Sequence, residues 1–453
     1  MNTVMLLIAL VLLLVNSYFF FGKHLSNPVM LFILPLIIAL LDGFIYYNQW
    51  RYNFNTNTVL LVLGGTVSFA AGCYIAYVYG ERNMKSKNVK VVRLLLPNYI
   101  YAICIIVILT MSVFVLASLR SLVASHGYSV ATLTDIIGNY NELSKFGNED
   151  VSLRGIGAYC YEALFGIGLV LAYLAARDLA VGRKNCSKMC LLAFFTAALS
   201  VVIVGSRSVS IALIVSFLVI YIMYTRRIGR VRKLSDIKVG YVIFLPLILL
   251  VAASVFLGSV SFLGREGGSD NSTKLYDISI YLGAPLKNLD LTMSQGIMQS
   301  EYFGRWTFRQ IYATLNNLGI TSVPYSTDFG FQDINGWFLG NVYTIFYYLT
   351  VDFGVLGCLV ALFLIGLLVQ FVYQLAYRKL DAPYVSFPVI LYGYFAYNIL
   401  FAFFADNITS LLFSTGLYKK LIIVALVELL LNRILRKRVN TYETSDIVDY
   451  TRL

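Results

Sequence analysis

The sequence predicts an all-α polytopic membrane protein, a single integral membrane domain over residues 1–453. Three observations carry that prediction. Hydrophobic residues make up 59% of the chain against 13% charged, with a mean hydropathy of +0.76. The apolar residues fall in long continuous runs, and basic residues gather in every second gap between them. A soluble protein has nearer half apolar and about a quarter charged residues, so no soluble core would hide this much apolar surface.

The runs are helices for a reason of hydrogen bonding. A stretch of roughly 20 apolar residues crosses a bilayer core of about 30 Å. Inside lipid, only helices and closed barrels satisfy every backbone group. The runs here are continuous rather than alternating, which selects helices. They predict about eleven spans, near 3–21, 28–47, 58–79, 99–119, 156–176, 189–204, 208–225, 239–263, 354–377, 385–405 and 417–435. The first lacks a basic leader and a small-residue cleavage site, so it is expected to be a retained helix and not a signal peptide.

Charge sets the expected orientation. Basic clusters stand at Arg82–Arg93, Arg177–Lys188, Arg226–Lys238, Arg378–Lys379 and Arg433–Arg438. With Lys23 and Arg452, these hold about 23 of the 35 Lys+Arg and alternate with the remaining loops. By the positive-inside bias, the N-terminus is expected outside, and the C-terminus inside with a cytoplasmic tail over 433–453. The net charge of +12 then reflects topology and gives no reason to expect nucleic acid as a partner. Most of the six cysteines lie in apolar runs, so no disulfide framework is expected.

Two long loops fall on the predicted outer face, 120–155 and 264–351. The second is far longer than a simple connector. It carries amphipathic stretches such as EYFGRWTFRQIYATLNNL over 301–318, read as helical. Loops of this kind supply active sites or lids.

Candidate chemistry concentrates on that face. Arg207, in VVIVGSRSVSIALIV, stands in a tight turn or just inside the outer membrane edge. An arginine at that depth is costly and marks a functional candidate, and its fork can grip a phosphate bidentately. The blander alternative is a turn residue snorkelling to the headgroups. Arg154, Arg265, Lys274, Arg305 and Arg309 lie on the outer loops, where the charge bias disfavours cations. An anionic ligand would compensate them; so would local pairing, such as Glu301 with Arg305 at helical spacing.

The acids of the same face include Glu142, Glu162, Asp277, Asp290, Glu301, Asp333, Asp352 and Asp406. A general base must lie within hydrogen-bond reach of the attacking hydroxyl. Asp352 and Glu301 are the candidate catalytic carboxylates; Asp352, just ahead of an apolar run, could instead cap the helix that follows. Trp306, Trp337 and Tyr343 are candidates for stacking on sugars, against the alternative of an interfacial aromatic belt. Two histidines and no metal-ligand spacing leave no metal and no cofactor expected. The Asp352-Phe353-Gly354 string has no other kinase element beside it.

Certain strings carry a family likeness: Gly205-Ser206-Arg207-Ser208 opening a helix, and Asn341-Val342-Tyr343-Thr344 followed by Val351-Asp352-Phe353-Gly354-Val355-Leu356-Gly357. With the span layout and the large outer loop, the chain resembles the Wzy-type O-antigen and oligosaccharide repeat-unit polymerases. The likeness covers nearly the whole chain in layout and these short strings in residues. It implies a fold akin to the GT-C-like membrane glycosyltransferases and metal-independent chemistry in the bacterial inner membrane. The growing glycan would pass from undecaprenyl diphosphate to the non-reducing end of a new lipid-linked unit at the outer face. It also implies membrane lipids and a chain-length regulator protein as partners. The family carries arginines in two outer loops, each with a glycine a set distance downstream. Here Arg154 precedes Gly166 and Arg309 precedes Gly319, each one residue off that distance, so Arg207 carries most of the diphosphate-binding expectation.

Two other classes compete. An O-antigen ligase shares this layout but is expected to use a histidine in the large loop, and 264–351 has none. A lipid-linked oligosaccharide flippase or other transporter would place charges at mid-membrane, where only Glu428, Asp42 and Glu162 qualify.

Overall fold

The computed structural model describes residues 1–81, 91, 94, 96–146, 153–182, 188–229, 274–296, 299–324 and 329–443. The expected span at 239–263 and Arg265 lie outside the described residues. Seven described helices are long and apolar enough to cross a membrane. They are α1 (Asn2–Phe20), α2 (Pro28–Ile45), α3 (Thr56–Glu81), α4 (Asn98–Ser125), α6 (Gly155–Val181), α8 (Arg207–Arg227) and α12 (Ile345–Arg378). Two shorter apolar helices, α7 (Lys188–Ser200) and α13 (Phe387–Leu400), each continue into a 3₁₀ turn. The last helix, α15, covers Thr415–Glu443. The molecule is a multi-pass helical membrane protein.

Side-chain contacts sort the connections into two ends. At one end, Arg177 donates to the carbonyls of Ala382 and Tyr384, and Arg227 pairs with Asp381. Arg226 donates to the Gly22 carbonyl there. This end carries the basic connectors. At the other end, the Met1 amine donates to Asn53 at 3.0 Å, and Lys287 and Asp290 form a buried ion pair. Asp290 also accepts from the Asn55 amide and the Thr58 hydroxyl. This end carries the long loops. Glu428 of α15 accepts from the Phe387 amide near the first end, while Lys420 pairs with Glu162 of α6 toward the second. The helix therefore runs between the ends.

The described parts of the large loop combine short helices with a hairpin. They contain α9 (Lys274–Leu282), α10 (Ala284–Gln295), α11 (Arg309–Asn317) and a small antiparallel hairpin of β1 (Gln332–Ile334) and β2 (Trp337–Gly340). The helix expected over 301–318 forms only from Arg309; residues 301–308 are turns. Gly304 adopts φ 63°, and the Trp306 and Thr307 amides bond to a side chain outside the segment, so the helix ladder cannot close there. The loop over 120–155 likewise contains a helix, α5 (Leu133–Phe146).

Among the described helices, the most extensive contact joins α3 and α12. It is built on missing side chains. A Cβ at Gly72 would meet the Phe363 carbonyl oxygen at 2.1 Å, and one at Gly366 would meet the Phe69 carbonyl oxygen at 2.2 Å. The Cys73 thiol donates to the Gly366 carbonyl at 3.3 Å. Small residues let membrane helices approach until their backbones touch, where dispersion and polar contacts hold them.

Gly72→Leu is expected to separate this seam and destabilise the protein by about 1–3 kcal/mol or more, since backbone cannot yield as a side chain can. Gly64→Ala is the control, because its Cβ would meet only Leu359 at an ordinary 3.5 Å. The thermal midpoint in detergent should fall for the first variant and hold for the second.

Candidate functional site

The site begins with a bend in α12. Helical geometry starts at Ile345, not at the expected 354, and breaks at Gly354 (φ 71°, ψ 179°). Only glycine takes such a backbone readily. Asp352 therefore lies in the helix before the bend, not at a helix start, and α12 takes its N-cap position from Thr344. The capping expectation is corrected in a specific way. The carboxylate does cap backbone amides, but those of another segment. It accepts from the Trp306 amide at 3.1 and 3.2 Å and from the Thr307 amide at 2.6 Å. The Ser300 amide donates to the Val351 carbonyl at 2.9 Å beside it.

This clamp fixes the turn over 301–308 against α12. Phe308 packs on Phe303, Phe353 and Phe413. The turn delivers two arginines. Arg305 donates to the Pro324 carbonyl at 3.2 Å and lies over the Trp306 ring. Arg309 opens α11. Both line a narrow cleft of about 10 Å³, room for roughly one water, with Tyr312, Asn316, Val323 and Pro324. Asn316 fastens the far wall: its amide donates to the Val323 carbonyl at 2.6 Å, and its oxygen accepts from the Val323 amide and the Thr321 hydroxyl.

A second carboxylate joins from the connector after α13. Asp406 is buried and caps the short helix α14 (Asn407–Leu412), accepting from the Thr409 amide at 3.1 Å and from the Thr409 hydroxyl. Burial pushes its carboxyl up to about 6. Bonds to Thr409 and the nearby Arg309 charge oppose that rise, while the Asp352 charge adds to it. Two carboxylates and two guanidiniums thus meet at the end of the molecule where the long loops converge. Asp406 was one acid among many in the sequence; its isolation in an aromatic stretch, FAFFADN, is the signal that could have singled it out.

The other sequence candidates are dispersed. Glu301 is exposed at the start of the clamped turn, with no ion pair to Arg305, because that segment is not helical. Arg154 is exposed at the start of α6, away from this cluster in any hydrogen bond or ion pair among the described residues. Arg207 is the first residue of α8, directly after a turn at Gly205 that α5 covers through Ile137 and Asn141; its side chain lies outside those described. The sugar-stacking expectation needs correction for two residues. Tyr343 is fully buried and stacked on Tyr347, and Trp306 is buried against Phe329, so neither offers an open face. Trp337 is half-buried beside Tyr46 and Tyr276. The acids within helices have partners: Glu162 with Lys420, Asp42 with Ser279, and Glu428 with the Phe387 amide.

No group of three metal-ligating side chains forms among the described residues. The cluster can offer cationic donors to an anion while holding them in fixed positions. In comparisons with known proteins, no family model, no curated protein and no solved structure matches the chain.

Asp406 carries a testable pH signature. Its folded-state carboxyl value, near 6, lies above the ordinary 3.8. Its contribution to stability is therefore fully present below pH 4 and lost as pH rises through 6, a loss of about 3 kcal/mol. Thermal midpoints should fall mainly between pH 4 and pH 6 in the native sequence, and Asp406→Asn should flatten that part of the profile. An unchanged slope in the variant would place the titration elsewhere.

Proposed function

We propose that the chain is a polysaccharide repeat-unit polymerase of the Wzy type. In this reading it has about eleven spans, with the N-terminus outside and the C-terminus inside, in the GT-C-like layout, and works at the outer face of a bacterial inner membrane. The observation that carries the reading is the Asp352-clamped turn, which holds Arg305 and Arg309 beside one cleft at the end where the long loops meet.

The chemistry follows from the residues. The acceptor sugar hydroxyl attacks the anomeric carbon of the donor glycan; the new C–O bond forms as the bond to the lipid diphosphate breaks. Charge develops on the departing diphosphate, and fixed cations aimed at it stabilise the transition state. Arg305 and Arg309 fill that role; Arg207 and Arg265 are further diphosphate ligands in this reading, while Arg154 stands apart from the cluster. The hydroxyl proton needs a carboxylate. Asp352 spends its oxygens on amides and acts as a positioning residue, which leaves Glu301, exposed at the head of the turn, as the base. Trp337 is the remaining aromatic with partial exposure for a sugar. The substrates are undecaprenyl-diphosphate-linked oligosaccharides, and a chain-length regulator is the expected protein partner. The partnered state of Glu162, Asp42 and Glu428 weighs against transport, and the lack of a histidine in 264–351 weighs against ligation.

Two measurements test this. In a deletion strain, surface glycan should carry single repeat units, and the native gene should restore long ladders. Arg309→Ala should cut chain extension about 10²–10³-fold at normal protein levels. Intact ladders in the deletion strain would overturn the reading; long lipid-linked chains missing from lipid A would favour a ligase. Separately, in a cysteine-free background, Ser322→Cys should react with an impermeant thiol reagent on intact cells. Lys379→Cys should react only after permeabilisation, and the reverse pattern would invert the topology.

A further inference from the structure

The opposite end of the α3–α12 seam has a feature the proposed reaction does not use. Beyond the Gly72–Gly366 contact, α3 and α12 stay in contact, with Gln374 bonded to the Ala76 carbonyl and Arg378 to the Gly80 carbonyl. They leave a groove of about 690 Å³, within the range of roughly 300–1,000 Å³ of ligand sites. Its floor is small or shielded: Ala76, Gly80 and the buried Gln374, whose amide donates to the Ala76 carbonyl at 3.0 Å. Its walls are apolar side chains open to the surroundings, among them Ile75, Leu364, Leu368 and Phe371.

The mouth is different. Tyr79 is 84% exposed, as aromatic residues at a membrane–water boundary are. Beside it Arg378 donates to the Gly80 carbonyl at 2.8 Å, and Lys379 is exposed next in sequence. That bond holds the guanidinium at the lip of the groove. Arg378 has no carboxylate partner among the described residues. The groove is thus an apolar channel ending in a positioned cation.

Its length is informative. From Leu364 to Arg378 α12 rises about 21 Å. Half of a bilayer with its headgroup layers is about 20–22 Å. One leaflet-length of apolar wall capped by a cation matches one lipid molecule, tail inward and phosphate at the lip. A zwitterionic lipid would fill the walls equally well and also offers a phosphate, but its ammonium group offsets the charge that Arg378 and Lys379 favour.

We propose that this groove is a binding site for an anionic glycerophospholipid from the leaflet at the basic end. One acyl chain lies between α3 and α12, and Arg378 holds the phosphate. The site rests only on the membrane reading and not on the polymerase reading. An occupant here would brace the open side of a seam that Gln374 and Arg378 hold through the Ala76 and Gly80 carbonyls.

The experiment uses the full chain, purified in mild detergent and exchanged into nanodiscs of equal phosphatidylglycerol and phosphatidylcholine with matched chains. After mild detergent extraction, retained lipids are counted by native mass spectrometry. The native sequence should keep one phosphatidylglycerol in preference to phosphatidylcholine. Arg378→Gln should reduce that preference about fivefold, from the loss of one basic residue at a headgroup. Ala76→Trp should fill the floor and abolish retention of both. Leu368→Trp provides a second block if the first variant fails to assemble, and Arg436→Gln on α15 should leave retention unchanged. Equal retention of both lipids by the native protein would overturn the proposal, as would undiminished retention in the folded groove-filling variants.

Discussion

Helices in lipid gain little by hiding apolar surface from one another, because the tails around them are as apolar as leucine. Close packing has to hold them, and among the described helices the closest is between α3 and α12. Gly72 faces the backbone at Phe363, and Gly366 faces the backbone at Phe69. A single methyl at either point would force two backbones apart. The contact makes the pair a stiff bar reaching from one end of the molecule to the other. The features with chemical promise are mounted on its two ends: the bend at Gly354 with Asp352 at one, the groove with Arg378 at the other.

At the loop end, rigidity passes from helix to turn through one carboxylate. A buried amide left without an acceptor costs about 1–3 kcal/mol. Asp352 meets the Trp306 and Thr307 amides at once. It thereby substitutes for the helix ladder that the 301–308 segment lacks, and it fixes where Arg305 and Arg309 begin. Asp406 does the same for Asn407–Leu412. Both acids act on backbone first, and their charge reaches the arginines from those fixed positions. Groups locked by a second layer of bonds are what a fixed electrostatic site requires.

The sequence is legible where one physical demand dominates. Apolar length had to match the bilayer, so most helices lie within a few residues of their expected runs. It is less legible where distant segments decide. The EYFGRWTFRQ stretch has helical spacing, yet its first turn is taken by Asp352, some 45 residues on. Nothing local shows that. The hairpin is a different failure, since its signal was present. Ile334-Asn335-Gly336-Trp337 contains the Asn-Gly pair of a tight hairpin turn, and Asn335 and Gly336 adopt φ 53° and 77°. Of the candidate site residues, Arg305, Arg309 and Asp352 converge, while Arg154 does not, because charge and type select a face of the membrane but not a position on it. The aromatic residues mislead for a related reason: Tyr343 and Trp306 look like a sugar platform in sequence, but the loop needs a core of its own and takes them for it.

The charge balance of the cluster constrains any ligand. Asp352 and Asp406 already stand near Arg305 and Arg309, so an anion entering the cleft meets cations that are partly neutralised. It would also raise the proton affinity of both acids, as any added negative charge does. Linkage makes this reciprocal: a proton on Asp406 must strengthen the anion's hold by the same factor by which the anion strengthens the proton's. The Asp406 carboxyl, held near 6, titrates just below neutrality, so it is the group through which this coupling would act. If a lipid diphosphate binds against Arg305 and Arg309, as proposed, the departing group leaves more readily as Asp406 loses its proton. The acid that caps α14 would then help release product without touching it.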